Sequence, residues 1–93
     1  MSEINNSEKY QTVFKALGDP ARLKILALLK SGKTCACKIL EAFNFTQPTL
    51  SYHMKLLTES GLVKAEKNGK WIYYEIDGGQ LKALCEFFTA LNK

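Results

Sequence analysis

One short stretch of this chain carries a hairpin signal among helical ones, and that decides the class of fold. Leu62-Val63-Lys64-Ala65-Glu66-Lys67 runs into Asn68-Gly69, the strongest two-residue hairpin signal a sequence offers. The return run alternates, with Ile72, Tyr74 and Ile76 on one face and Trp71, Tyr73 and Glu75 on the other. Everywhere else the apolar residues recur at helical spacing. The expectation is a mainly α chain carrying one β-hairpin, an α+β fold.

Ser7 is placed to cap a first helix in which Tyr10, Val13, Phe14 and Leu17 form one apolar stripe, ended by Gly18. Asp19-Pro20 reads as an N-cap with proline at the first helical position. The helix it opens holds Leu23, Ile25, Leu26, Leu28 and Leu29 before Gly32; apolar on almost every side, it should be the central one. Thr34 should cap a short third helix with Ala36, Ile39, Leu40 and Phe43 turned inward. Thr46 should cap a fourth, with Pro48 tolerated in its first turn and Leu50, His53, Met54 and Leu57 facing the core. After the hairpin, Asp77-Gly78-Gly79 breaks the strand, and Leu81, Leu84, Cys85, Phe88 and Leu91 trace a seam on a last helix.

At 93 residues the chain has room for one core, so residues 1–93 are expected to form a single domain. No stretch approaches the roughly 18 apolar residues of a membrane span. The opening Met1-Ser2-Glu3-Ile4-Asn5-Asn6 lacks the regions of a signal peptide, so a cytoplasmic protein with no membrane partner is expected. In that reducing compartment a structural disulfide is not expected of the three cysteines, which are then fillers, metal ligands or redox groups.

The outward face of the fourth helix is Gln47, Ser51, Tyr52 and Lys55: hydrogen-bonding or cationic groups suited to base edges and phosphates in a major groove. Thirteen Lys and Arg against nine Asp and Glu leave a net charge of +4, which favours a polyanionic partner. Four helices, a basic-tipped hairpin and a last helix give the order ααααββα, that of a winged helix-turn-helix. Thr46, Gln47, Thr49, Ser51, Tyr52 and Lys55 are candidate DNA contacts, joined by Lys67 and Lys70 at the wing tip. The first turn after Thr46 would also offer free backbone N–H groups to a phosphate.

The run Phe14-Lys15-Ala16-Leu17-Gly18-Asp19-Pro20-Ala21-Arg22-Leu23-Lys24-Ile25-Leu26 resembles the opening of the ArsR/SmtB metal-sensing repressors. So do Ser51-Tyr52-His53-Met54, Ser60-Gly61-Leu62-Val63 and the wing segment Gly69-Lys70-Trp71-Ile72-Tyr73-Tyr74, in the family's own order. The resemblance implies a homodimer, joined through the first and last helices, that binds an inverted repeat of double-stranded operator DNA and needs no cofactor to do so.

Thr34-Cys35-Ala36-Cys37-Lys38 resembles the thiol signature of the arsenic-responsive branch, which implies As(III) or Sb(III) as inducer and Cys35 and Cys37 as ligands. The branch often shows C-x-C-x-x-C, and here the last position is Leu40. Cys85 could supply a third thiolate, although its place on an apolar seam favours packing. Residues two apart on a helix point about 200° from each other, so binding both thiols to one ion should distort the first turn of the third helix. That distortion would tilt the fourth helix, opposing ligand against operator. A helix N-terminus with Lys33 and Lys38 nearby favours the thiolate.

A thiol oxidation switch, or a sensor of another soft metal, keeps the same DNA-binding role. Zinc fits less well, since it prefers four donors and the only histidine is His53, with none between Gln80 and Lys93. An enzyme is not expected: His53 has no acidic partner nearby in sequence, and no Gly-rich phosphate loop is present.

Overall fold

The computed structural model describes residues 7–93. The opening segment read for a signal peptide therefore lies outside the described residues, as does the side chain of Ser7 and the capping role expected of it. Helix α1 (Ser7–Leu17) and helix α2 (Pro20–Leu29) lead into a two-residue strand β1 (Thr34–Cys35). Helices α3 (Ala36–Phe43) and α4 (Gln47–Glu59) follow, then strands β2 (Val63–Asn68) and β3 (Trp71–Ile76), and helix α5 (Gly78–Leu91). This is a winged helix-turn-helix with one strand more than the hairpin alone supplies.

Local chemistry sets each boundary. Asp19 is extended, and its carboxylate accepts the Ala21 N–H at 2.8 Å while Pro20 opens α2. Asn44 takes a left-handed φ of 55° and ends α3, so that the chain turns at once into α4. Asp77 caps α5 by accepting the Gly79 and Gln80 N–H groups at 3.1 and 3.2 Å, which makes the two glycines its first turn rather than a linker. In the hairpin Asn68 pairs with Trp71, so the turn residues are Gly69-Lys70, one position later than Asn68-Gly69 suggests. Gly69 has φ 67° at the first central position, as a II′ turn requires.

The sheet order is β1-β3-β2, all antiparallel, with Thr34 opposite Tyr74 and Cys35 opposite Tyr73. Thr34 was expected to cap α3; instead it is a strand residue, and the cap is Cys35, whose Sγ accepts the Cys37 N–H at 3.3 Å. Two residues of pairing are too few to leave an alternating pattern in the sequence.

The main core gathers Ala16, Ile25, Leu29, Ile39, Leu50, Met54, Leu57 and Val63 from five elements, and a second cluster joins Val13, Leu62 and Leu84. Helix α2 is less central than its composition implies. Ile25 and Leu29 are buried, but Leu23 stays 51% exposed, so one face of the helix is open to solvent.

Candidate nucleic-acid interface and thiol site

Helices α3 and α4 form the helix-turn-helix, and α4 rests on α1 as well. Leu50, His53, Met54 and Leu57 are buried, which fixes the opposite face of α4 outward. Gln47, Thr49, Ser51, Tyr52 and Lys55 are all exposed there. The first turn is less open than expected. Thr46 Oγ1 accepts the Thr49 N–H at 3.3 Å, Leu50 N–H goes to the Thr46 carbonyl, and Pro48 has no N–H, which leaves that of Gln47. Lys67 and Lys70 are exposed near the wing tip, and the Lys70 ammonium lies 5.7 Å from the centre of the Trp71 ring.

Beneath this face lies a charged residue that the sequence reading missed. Arg22, only 6% exposed, donates from Nε to the Ala16 carbonyl at 2.6 Å and from Nη2 to the Lys15 carbonyl at 3.3 Å. These are among the last carbonyls of α1, which have no partner within their own helix. Its Nη1 lies 3.0 Å from Nδ1 of buried His53. A guanidinium only donates, so His53 Nδ1 is the acceptor and the ring proton sits on Nε2. One side chain thus ties the end of α1 to the inner face of α4. The usable signal was a lone histidine on an apolar helix face, which needs a partner, and an arginine in the first turn of an apolar helix.

The thiols sit where scaffold helix and wing meet. Cys35 is extended, with φ −67° and ψ 141°, and only Cys37 is helical. The expected 200° opposition therefore does not arise, because it holds only where both residues are helical. The Cα atoms are 5.2 Å apart and the two sulfurs are paired as a disulfide, contrary to the expectation for a reducing compartment. Cys35 is half-buried and Cys37 exposed. On the Cys35 side a cavity of about 420 Å³ is lined by Ser31, Lys33, Lys38 and Tyr73 among others. On the Cys37 side a crevice of about 180 Å³ is walled by Leu40, Gln47, Lys70, Trp71 and Ile72. Cys37 thus shares one crevice with the start of α4 and the tip of the wing.

Of the two lysines flanking the pair, Lys33 is engaged. Its ammonium donates to Glu66 Oε1 at 2.5 Å, bridging the approach to β1 and the outer strand β2. The hydrogen bond and the charge of Lys33 hold the Glu66 carboxyl below its ordinary pKa, and the same contact raises that of Lys33. The pair therefore contributes at neutral pH and loses its contribution as pH falls through the lowered Glu66 value or rises through the raised Lys33 value. An NMR pH titration should place the Glu66 midpoint below the ordinary range of a glutamate carboxyl. Lys33→Met should return it to the ordinary range, and an unshifted midpoint would refute the pairing.

Cys85 does not pack as its seam suggested. It is exposed, and among the described residues no three His, Cys, Asp or Glu side chains come together, so Cys85 stands apart from Cys35 and Cys37 within the protomer. The reason lies in α5, where Leu84 alone is buried while Leu81, Phe88 and Leu91 are 40%, 47% and 68% exposed. Phe14 of α1 joins them, its ring 5.7 Å from that of Phe88, and Tyr10 stacks on Phe87 at 4.3 Å. Helices α1 and α5 thus share an aromatic surface left open in the protomer. No helix among the described residues is long and apolar enough to cross a membrane.

Comparison with known proteins follows this geometry. A family model described as bacterial regulatory protein, arsR family, matches residues 19–65, which span α2, β1, α3, α4 and the start of β2. The arsenical resistance operon repressor of Staphylococcus xylosus is 49% identical over 70 residues, covering 75% of this chain and 67% of that one. An HTH-type transcriptional regulator of Methanocaldococcus jannaschii is 42% identical over 85 residues, covering 90% of this chain and 96% of that one. Among solved structures, the homodimeric winged helix-turn-helix DNA-binding domain from Mycobacterium bovis is 29% identical with a TM-score of 0.79, covering 97% of this chain and 83% of that one.

Proposed function

The chain belongs to the arsR family of bacterial regulatory proteins and is a winged helix-turn-helix transcriptional repressor, and we propose that As(III) or Sb(III) releases it from its operator by binding Cys35 and Cys37. The observation that carries this reading is the position of the two sulfurs. They lie side by side at the junction of β1 and α3, with Cys35 paired to Tyr73 of the wing. Both ions are soft and favour thiolates.

Ligand and operator then oppose each other through the sheet. Cys35 is part of the ladder that holds β3, and β3 holds β2, so a change in backbone at Cys35 reaches the wing without first unwinding α3. Cys37 shares its crevice with Gln47 and Lys70, which brings both DNA-reading elements beside the same pair. The reciprocal coupling is expected on the order of 1–3 kcal/mol.

In this reading residues 1–93 act as one DNA-binding domain, and two copies join through the aromatic surface of α1 and α5. The dimer meets an inverted repeat of double-stranded DNA in the cytoplasm. Thr46, Gln47, Thr49, Ser51, Tyr52 and Lys55 contact the major groove and its phosphates, while Lys67 and Lys70 reach flanking phosphates. No cofactor is needed for DNA binding, and no catalytic step is assigned.

The paired sulfurs also favour a second reading, in which oxidation of the thiols is the trigger. A gel shift of the operator complex, begun with reduced protein and challenged separately with arsenite, peroxide and zinc, separates the two. Release by arsenite is the expected result, and release by peroxide alone would overturn the arsenic reading. In the same assay Lys67→Ala and Lys70→Ala should each lower the slope of log affinity against log salt by about 1. An unchanged slope would remove that lysine from the interface.

A further inference from the structure

Resting on the arsenic reading, we infer that the cavity beside Cys35 admits a small anionic thiol from solution, which supplies the third thiolate to the ion held by Cys35 and Cys37. As(III) has three valences and the chain brings two sulfurs to it. Leu40 stands where a third cysteine would follow the pair, and its side chain walls the Cys37 crevice. Within the protomer neither Cys85 nor any His, Asp or Glu among the described residues converges with the pair. The third valence is left to something that diffuses in.

The two sides of the pair differ in what they can accept. Leu40, Trp71 and Ile72 make the Cys37 side largely apolar, and at about 180 Å³ it is the smaller space. The Cys35 side is about 420 Å³, within the range of small-molecule sites, and is lined by Ser31, Lys33, Lys38 and Tyr73. Lys33 is taken by Glu66, while Lys38 is in no ion pair among the described residues. That leaves the Lys38 ammonium for a carboxylate on the incoming thiol. The Ser31 hydroxyl donates to the Leu28 carbonyl at 3.1 Å and keeps its lone pairs for a donor on the ligand.

The small thiol is the one reductant the chemistry needs. Where Cys35 and Cys37 are joined, two equivalents of the small thiol reduce them and leave as its disulfide. The dithiol, one further thiol and arsenous acid then form three As–S bonds as three As–O bonds break. The three thiol protons depart with the three hydroxyls as water, and arsenic remains trivalent throughout.

Native mass spectrometry of the reduced full chain with arsenite tests this, using mercaptosuccinate or 2-mercaptoethanol at equal thiol concentration. The expected species with mercaptosuccinate is chain, one arsenic and one mercaptosuccinate. Arsenite affinity should be about threefold higher than with the neutral thiol, the scale of one exposed ion pair. Lys38→Glu should lose that difference and Lys38→Arg keep it, with both melting as the parent does. Arsenic bound to both cysteines with no added thiol, or equal affinity with the two thiols, overturns the inference and leaves the arsenic reading intact. No arsenic on Cys35 and Cys37 under any condition overturns that reading itself.

Discussion

Cys35→Ser and Cys37→Ser chains are expected to stay on operator DNA at arsenite concentrations that release the parent protein. Their DNA affinity without arsenite should remain within about threefold of the parent, because neither side chain belongs to either core cluster. Apart from its bond to the Cys37 sulfur, the Cys35 sulfur accepts the Cys37 N–H at the start of α3, and a serine hydroxyl does this as well or better. What is lost is the soft donor. With a coupling of about 1–3 kcal/mol, the operator affinity lost on adding arsenite is roughly 5- to 150-fold in the parent and should vanish in either variant. Fluorescence anisotropy of a labelled operator with and without arsenite reads this directly, and release retained by either serine variant would remove that cysteine from the site.

The largest effect on stability is expected from Arg22→Ala. Truncation strands the Ala16 carbonyl and His53 Nδ1 in the interior, and leaves the α1 terminus without its tie to α4. Hydrogen bonds from a charged donor contribute about 1.5–3 kcal/mol each, and a buried group left unpaired costs about 1–3 kcal/mol. A loss of about 2–4 kcal/mol lowers the melting temperature of a domain this size by roughly 10–25 °C. A double-mutant cycle with His53→Ala should give a coupling of about 0.5–3 kcal/mol. Thermal denaturation measures both, and a loss below about 1 kcal/mol would show that water replaces the guanidinium without penalty.

Where the sequence was informative, short-range rules fixed the outcome. Asp19 and Thr46 cap the helices their side chains suggested, and the inward face of α4 is the predicted Leu50, His53, Met54 and Leu57. Each depends on residues within a turn or two of one another. What stayed hidden depends on distant partners. Strand β1 exists only because β3 lies beside it, some 40 residues later. The meeting of Cys35 and Cys37 follows from that strand, since pairing with Tyr73 keeps Cys35 out of the helix. Arg22 drew no structural expectation from the sequence, because its burial needs groups on two other elements. Cys85 was misread in the opposite sense, because an apolar seam does not say whether its partner lies within the protomer.

Strand β1 also separates two kinds of change available to such a chain. The residues that fill the core come from the helices and from Leu62 and Val63, and the exposed face of α4 meets the thiol pair only at Gln47. Cys35 and Cys37 occupy a two-residue edge strand and the first turn after it, where side chains can be exchanged with little disturbance to packing. The chemical identity of the signal can therefore drift through a handful of substitutions at this edge while the DNA sequence that is read stays fixed. Detection and address are written in different residues, and so can be revised independently.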